Sequence, residues 1–352
     1  MKIAADRLVD YVNNVLTAVQ VRDDDARIVA ENLVAAELTG HGTHGVVRLP
    51  RYVEEIQAGE INLSAEIKIT EQRSASLLID GDWGFGQVIA NQTVDLLIPK
   101  ARQHGVASAG VFHSNDVGRL GAYTMRIAAQ GLLGLMTIND GGGSPHIAPW
   151  GGIAPLFSTN PLSFAAPLNS ESPVCIDMST SVCAGSRVLL AQKRGDVLPP
   201  GLIMDSQGKP STDPNDLFAS PPGSLLPLGA PVAGHKGTAL NLIVDVLSGA
   251  LTGAGCSGRG TRETQGIFFL VIDVEAFAAM EDFQERVVQL LKRMKNNPTA
   301  EGVDEIRIPG EHGERMRQQQ MKDGIVIEPA IWREISQIAD KLGVSPPPAD
   351  AG

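Results

Sequence analysis

The chain is poor in the features that mark several large classes of protein. It has three cysteines, Cys175, Cys183 and Cys256, and no C-x-x-C pair. So odd and sparse a set builds no disulfide framework and suits a reducing cytoplasm. Basic residues are outnumbered, 29 against 40 acidic, for a net charge of −11. That balance disfavours nucleic acid and anionic membrane as partners, yet it leaves room for a small anion held by one or two local cations. The N-terminus has acids inside its apolar run and no signal-peptide core. The longest apolar stretch, 239–255, is interrupted by Asn241 and Asp245 and reads as a buried helix, not a membrane span. Neither G-x-x-x-x-G-K-[ST] nor G-x-S-x-G occurs, which argues against P-loop and serine-hydrolase chemistry.

Two stretches match G-x-G-x-x-G, at 40–45 and 253–258, but each follows a helical pattern. A dinucleotide fingerprint must follow a strand and open a helix, so that the helix N-terminus faces the pyrophosphate. Gly84-Phe-Gly86 has the right setting and lacks the third glycine. A Rossmann fold is therefore not expected.

What is present is ample core material: 43% hydrophobic residues in 352 positions, enough for two lobes. Three helices are expected over 4–58, with Leu8, Val12 and Val15 on one face. The third would carry His44, Arg48 and Tyr52 at four-residue spacing, with Pro50 near its first turn or at a kink. Strands and helices then alternate over 75–140, an α/β pattern. Two short strands surround residues 161–180. The Pro- and Gly-rich stretch 195–235 reads as a long surface loop or a lid. A buried strand is expected at 266–274, an amphipathic helix at 281–297, and a disordered tail over 346–352.

Chemistry is suggested by His41, His44 and Arg48. Arg grips a carboxylate with a planar fork, and His exchanges protons near neutral pH. One helical turn between them spans about the length of a 2-oxo acid. The alternative on spacing alone is a helix-start histidine and a solvated arginine. A metal-dependent hydrolase or lyase using His41 and His44 is a further reading, without a convincing third ligand. Asp177-Met-Ser-Thr-Ser181 ends a strand with hydroxyl residues, suited to ribose or phosphate or to an ordinary cap. His235-Lys236 opens an apolar helix, where a cation pair meets a phosphate or marks a surface turn.

The segments GHGTHGVVRLPRY, SNDVGRLGAY, FSTNPLSFAAP, IDMSTSV, PSTDP and AGHKGTALNLIVDVLSGALTG, then IPGE, occur in that order. Together they resemble the type-2 malate/L-lactate dehydrogenase family, whose relatives include ureidoglycolate, sulfolactate, diketogulonate and cyclic-imino-acid enzymes. The resemblance implies a non-Rossmann α/β fold with a helical N-terminal part, a homodimer, and a hydride exchanged between NAD or NADP and a small 2-oxo or 2-hydroxy acid. A cyclic imino acid is the alternative substrate, and a catalytically dead sensor of the same fold a further one. His44 would be the acid/base and Arg48 the carboxylate clamp. Gly118, Arg119, Leu120, Asn139, Asp177, Met178, Ser179, Thr180, Ser181, His235 and Lys236 would line the cofactor. A substrate-side domain would span 1–120, completed by about 300–345, with a cofactor-binding and dimerisation domain at 121–299.

Two departures stand out. Asp116 occupies a position where the family usually has histidine, and the chain is short between Gly253 and Gly266. Aspartate, with an ordinary pKa of about 3.9, is anionic at neutral pH. Asp116 is expected either to pair with His44 and hold it protonated, or to face the substrate and favour a cationic one; the pairing is the preferred reading. Lys193 and Arg194 could reach an adenosine 2′-phosphate, but they read as solvated charges, a lean toward NAD.

Overall fold

The computed structural model describes residues 1–141, 143, 145–168, 173–258 and 264–347. Of the expected disordered tail, residues 348–352 lie outside the described residues, as do 259–263 of the short segment before Gly266.

The chain opens with β1 (Lys2–Ile3), α1 (Ala5–Ala18), α2 (Asp23–Leu38) and, after two 3-10 turns, α3 (Leu49–Gln57). The expected stripe of α1 is buried, Leu8, Val12 and Val15 each at 0% exposure, and α2 begins on three aspartates that suit the positive end of a helix. These helices form one core with α10 (Pro329–Lys341), which supplies Ile335 and Ala339. β1 pairs antiparallel with β12 (Ile325–Val326), so the two ends of the chain close the same lobe.

The alternating region folds as expected into β2 (Lys68–Gln72), β3 (Ser76–Gly84), α4 (Gly86–His104), β4 (Val106–Ser114), α5 (Gly121–Ala128) and β5 (Leu132–Asp140). The short strands become β6 (Leu162–Ala166) and β7 (Val174–Met178), and the apolar run GIFFLVID becomes β11 (Gln265–Asp273). They build one seven-stranded sheet in the order β2-β3-β4-β11-β5-β6-β7. Only β3 and β4 pair in parallel; the other neighbours are antiparallel. A doubly wound dinucleotide fold needs a mostly parallel sheet, so this is a mixed α/β fold of another kind. Residue 120 lies between β4 and β5, inside the span of this sheet. α4 packs on it through Ile89, Val94 and Leu97.

Three local expectations change. His44 and Arg48 do not share a helix with Tyr52. They lie on the 3-10 turns Gly42–His44 and Val46–Arg48, and α3 begins only at Leu49, with Pro50 in its first turn. Gly45 is extended (φ −94°, ψ −151°) and breaks the helix between them, as glycine readily allows.

The stretch 195–235 is neither a bare loop nor a free lid. It follows α6 (Gly185–Arg194) and contains β8 (Ile203–Met204), β9 (Pro210–Ser211) and β10 (Ser224–Leu225), a small sheet ordered β10-β8-β9. Ile203, Leu217 and Leu225 join Val188 and Ile147 in a core of its own.

In the third case the burial is inverted. α7 (Gly234–Asp245) continues into a wider π-helical turn over Val246–Ala250. Leu242 at 55%, Ile243 at 54% and Val246 at 50% exposure face outward, while Val244 is buried. The residues that interrupt the apolar run, Asn241 and Asp245, are buried beside it. Asn241 Nδ2 donates to the Ser158 carbonyl and to Thr180 Oγ1, and Asp245 accepts from Asn139 and from the Ser257 amide.

The remaining helices, α8 (Met280–Lys295) and α9 (Glu311–Asp323), carry no fully buried residue. No helix among the described residues is long and apolar enough to cross a membrane.

Candidate active site

Two glycine-bearing 3-10 turns and the end of β4 bring the candidate catalytic groups together. The turns follow α2, and a carboxylate from that helix fills the hollow beneath them. Glu37 Oε1 accepts from the Val46 amide at 2.9 Å. A Cβ on Gly45 would collide with the Glu37 carboxyl, and one on Gly42 would stand 3.3 Å from Oε2. Glycine at 45 is therefore a packing requirement for this Glu37 position, and at 42 the fit is tight. Burial pushes the Glu37 carboxyl up to about 7, against the lowering effect of the Val46 amide. Its role was not foreseen, although a lone acid ending an apolar helix beside HGTHG was a usable signal.

His44 Nδ1 lies 3.1 Å from Thr43 Oγ1, and among the described residues Nε2 has no partner. Burial, then the Arg48 charge, hold its pKa below the ordinary imidazole value; Asp116 acts the other way. His41 is lowered to about 4, by burial and by the Arg119 charge. Both rings are thus neutral at pH 7. Arg48 is tied through Nε to the Thr43 carbonyl at 2.9 Å, its Nη1 stands 3.8 Å from Asp116 Oδ2, and its side chain is 27% exposed. Fixing Nε and leaving the outer guanidinium toward solvent presents a fork to an incoming carboxylate.

Asp116 lies just beyond the end of β4, as expected. It does not hydrogen-bond His44. Its Oδ2 accepts from the Tyr52 hydroxyl at 3.1 Å, and Oδ1 from the Gly118 amide at 3.0 Å. Burial works to raise its pKa, but Arg48, His44 and the Gly118 amide outweigh that, so it stays a carboxylate. Gln87 Nε2 donates to the Tyr52 oxygen at 2.7 Å, completing the relay Gln87–Tyr52–Asp116. The expected role of holding His44 protonated is thus corrected. Asp116 favours the charged imidazole only weakly, and its main partners are Tyr52, Arg48 and a backbone amide. Tyr52 reaches the site although it does not share a helix face with His44.

The sign of that weak coupling gives a test. Asp116→Asn keeps the shape and an acceptor for Tyr52 but removes the charge that raises the His44 pKa. For the hydroxy-acid chemistry that the resemblance implies, the acid limb of kcat/KM for oxidation moves to lower pH, and reduction at pH 7 slows because less His44 is protonated. A limb that stays put or moves up would dissociate Asp116 from His44.

The other expected site residues divide. The N-terminus of α4, where Gly84-Phe-Gly86 stood as a weak phosphate candidate, is closed by protein: a Cβ on Gly86 would meet the Asn115 and Asp116 carbonyl oxygens at 2.4 and 2.6 Å. Gly118 is buried with φ +69°, and a Cβ there would be in ordinary contact with Gln87 Nε2 at 3.6 Å. Leu120 is buried. Asp177 accepts from the Gly121 amide at 2.7 Å and lies 3.5 Å from Arg119 Nε. Its pKa is raised by burial in spite of both. The Thr180 hydroxyl serves the Thr159 and Asn160 carbonyls and receives Asn241; Ser181 donates to the Cys183 carbonyl. Those two hydroxyls are committed to the fold. Ser179 lies 3.0 Å from Ser181 Oγ, while Met178 is 37% exposed. His235 and Lys236 are exposed in the first turn of α7. Asn139 is fully buried, with Nδ2 bonded to Asp245 and the Gly255 carbonyl.

Gln87 Oε1 and Asn139 Oδ1 are buried acceptors without a partner among the described residues. Unpaired buried acceptors are costly and suit a ligand rich in donors, such as the amide and hydroxyls of a nicotinamide riboside. His235 and Lys236 at a helix start suit its phosphates.

A neutral imidazole beside a partly exposed guanidinium, backed by a buried carboxylate, suits acid/base chemistry on a carboxylic acid. The architecture around it is found in oxidoreductases of that kind. The malate/L-lactate dehydrogenase family model matches residues 3–336, and the chain belongs to that family. It is 36% identical to a malate dehydrogenase of Pyrococcus abyssi, over 98% of this chain and 96% of the relative. It is 33% identical to a malate/(S)-sulfolactate dehydrogenase of Methanothermus fervidus, covering 98% and 99%. The crystal structure of malate dehydrogenase from Entamoeba histolytica superposes with a TM-score of 0.93 at 27% identity, covering 100% of this chain and 99% of that one. The chain is an oxidoreductase of 2-hydroxy acids. The hydrolase and lyase readings of His41 and His44 are set aside by that membership.

Proposed function

We propose that the chain moves a hydride between a nicotinamide cofactor and the carbinol carbon of a small 2-hydroxy acid, with His44 handling the hydroxyl proton and Arg48 holding the carboxylate. When bound, the cofactor supplies or accepts the hydride. In oxidation, neutral His44 accepts the substrate hydroxyl proton at Nε2; in reduction it returns that proton to the carbonyl oxygen. Arg48 sets the substrate carboxylate beside it, and Asp116 with Tyr52 fixes Arg48. The observation that carries this reading is a His44 Nε2 without a partner among the described residues beside an Arg48 held through Nε by Thr43 and flanked by Asp116, its side chain still 27% exposed.

Gly118, Leu120, Asn139, Asp177, Met178, Ser179, His235 and Lys236 are proposed to surround the cofactor. NAD is favoured over NADP because Arg194 is already engaged by Glu328 at 2.6 Å. The test is loss of the reduced cofactor's near-ultraviolet absorbance with NADH or NADPH across 2-oxo acids and cyclic imines. Turnover confined to imines, or none at all, overturns the reading. Asp116 already accepts two hydrogen bonds and pairs with the Arg48 charge, which favours an anionic over a cationic substrate.

We also propose a homodimer working in the cytoplasm, where cysteines that form no disulfide stay reduced. Leu242, Ile243, Val246 and Leu251 form an exposed apolar face on and after α7, suited to a second copy. Leu242→Asp with Val246→Asp is expected to sediment as a monomer; an unchanged mass in ultracentrifugation would place the interface elsewhere.

A further inference from the structure

Two ties cross the break between the turns that carry His44 and Arg48. One is the Arg48 Nε bond to the Thr43 carbonyl at 2.9 Å. The other runs from the Val46 amide, the first donor of the second turn, to Glu37 Oε1 at 2.9 Å. Within the turns each amide bonds the carbonyl three residues before it: His44 to His41 and Gly45 to Gly42, then Arg48 to Gly45. A donor at the start of such a turn has no partner inside it, so the Val46 amide depends on an acceptor from elsewhere. Glu37 supplies it from the last turn of α2, a helix fixed in the N-terminal core through Leu33 and Val34. The Glu37 carbonyl in turn accepts from the Gly40 amide at 2.9 Å and from Gln320 Nε2 of α9 at 2.8 Å.

The carboxyl is closely enclosed. A Cβ on Gly45 would overlap Glu37 Cγ, Cδ and Oε1, and one on Gly42 would stand 3.3 Å from Oε2. One oxygen thus faces the first turn while the other holds the second. Among the described residues no cation pairs with this acid, and burial pushes its pKa up to about 7. An unpaired acid is costly there, and leucine would fill the same hollow without that cost. What leucine lacks is the acceptor for Val46. A local cost kept beneath a site, on a rigid helix, is the mark of a group that secures geometry.

We propose that Glu37 is a positioning residue: its carboxyl ties the turn bearing Arg48 to the helix beneath the turn bearing His44, and so sets the distance from the clamped substrate carboxylate to the acid/base nitrogen. This inference rests on the reading of His44 and Arg48 given above. Gly45 is the joint between the turns, and Glu37 and the Arg48–Thr43 bond are what hold it. Without the Glu37 tie Arg48 still grips a carboxylate, but the reacting carbonyl no longer meets His44 Nε2. The loss therefore falls on kcat more than on binding, since a misplacement of about 1 Å costs about 100-fold.

The cofactor-saturated enzyme is assayed for pyruvate reduction as wild type, Glu37→Leu and Glu37→Gln. Oxamate, an isostere of pyruvate that accepts no hydride, is the binding probe in calorimetry, and hydrogen exchange over residues 42–48 reads the tie without turnover. Glu37→Leu is expected to lower kcat by about 10- to 100-fold, with oxamate and cofactor affinity within about threefold of wild type. Its faster exchange is confined to 42–48. Glu37→Gln keeps an acceptor for the Val46 amide and recovers most of kcat. Gly45→Ala, whose Cβ drives the carboxyl out, reproduces the Glu37→Leu pattern with Glu37 in place, so the outcome does not hang on the folding of one variant. Equal losses in kcat, oxamate binding and cofactor binding would make Glu37 a general stabiliser and overturn the proposal. A Glu37→Gln enzyme as slow as Glu37→Leu would overturn it too, because the acceptor is then not what matters, as would an unchanged kcat in Glu37→Leu. Wild-type enzyme inert toward every 2-oxo acid would instead sink the reading of His44 and Arg48, while exchange over 42–48 would still judge the tie.

Discussion

His44→Gln is expected to lower kcat for hydroxy-acid oxidation by about 100- to 10,000-fold, the range of a lost general acid or base. Glutamine keeps a polar group of similar reach and cannot take up a proton. The wild-type ring is suited to the task because burial and Arg48 depress its pKa, leaving the ring neutral at pH 7 with Nε2 unpartnered among the described residues. The sign follows from that direction. Oxidation needs the neutral ring, so kcat/KM falls only as pH drops through a value below the ordinary imidazole range. Reduction needs the charged ring and weakens as pH rises through the same region. In His44→Gln that limb disappears from both profiles. The cofactor dissociation constant is the control, and it stays unchanged. A variant that retains rate and limb would move the acid/base role to another group, His41 first.

Arg48→Lys is expected to raise the barrier for the best substrate by about 2–4 kcal/mol in kcat/KM, since a charged and bidentate contact is lost or bent. Lysine keeps the charge, so simple electrostatic attraction does not rescue it. The Arg48 Nε bond to the Thr43 carbonyl also goes, and with it the strut between the two 3-10 turns. Part of the loss therefore appears in kcat as well as in KM, because the substrate carboxylate and His44 are no longer held in register. Undiminished kinetics in steady-state assays would remove Arg48 from the site.

The parts of this molecule legible in its sequence are those governed by periodicity. Leu8, Val12 and Val15 recur at helical spacing, and each is buried; the unbroken run of β11 is a central strand. The family was legible because seven motifs keep their order, although each alone is weak. Legibility failed where tertiary contacts decide. Four-residue spacing put His44, Arg48 and Tyr52 on one helix, but Gly45 breaks it and the Glu37 carboxyl fills the gap. The three still converge, since Tyr52 reaches Asp116 from α3. Hydropathy buried the run after His235, whereas Asn241 and Asp245 are the anchored side. Pro and Gly in 195–235 suggested a loop, yet Ile203, Leu217 and Leu225 give that segment its own small core. The carboxylate at 116 was visible as a departure, but its partners were not. Tyr52 and Gln87 lie 64 and 35 positions from the groups they bond, and no local pattern encodes such a relay.

The most direct test removes the carboxylate from the substrate and the fork from the enzyme, separately and together. Reduction of pyruvate and of its amide is followed in wild type and in Arg48→Lys, and the four values of kcat/KM close a cycle. If Arg48 holds the carboxylate beside His44, wild type prefers pyruvate strongly, and Arg48→Lys loses most of that preference because both changes remove the same contact. An equal preference in the two enzymes would contradict that placement of the substrate.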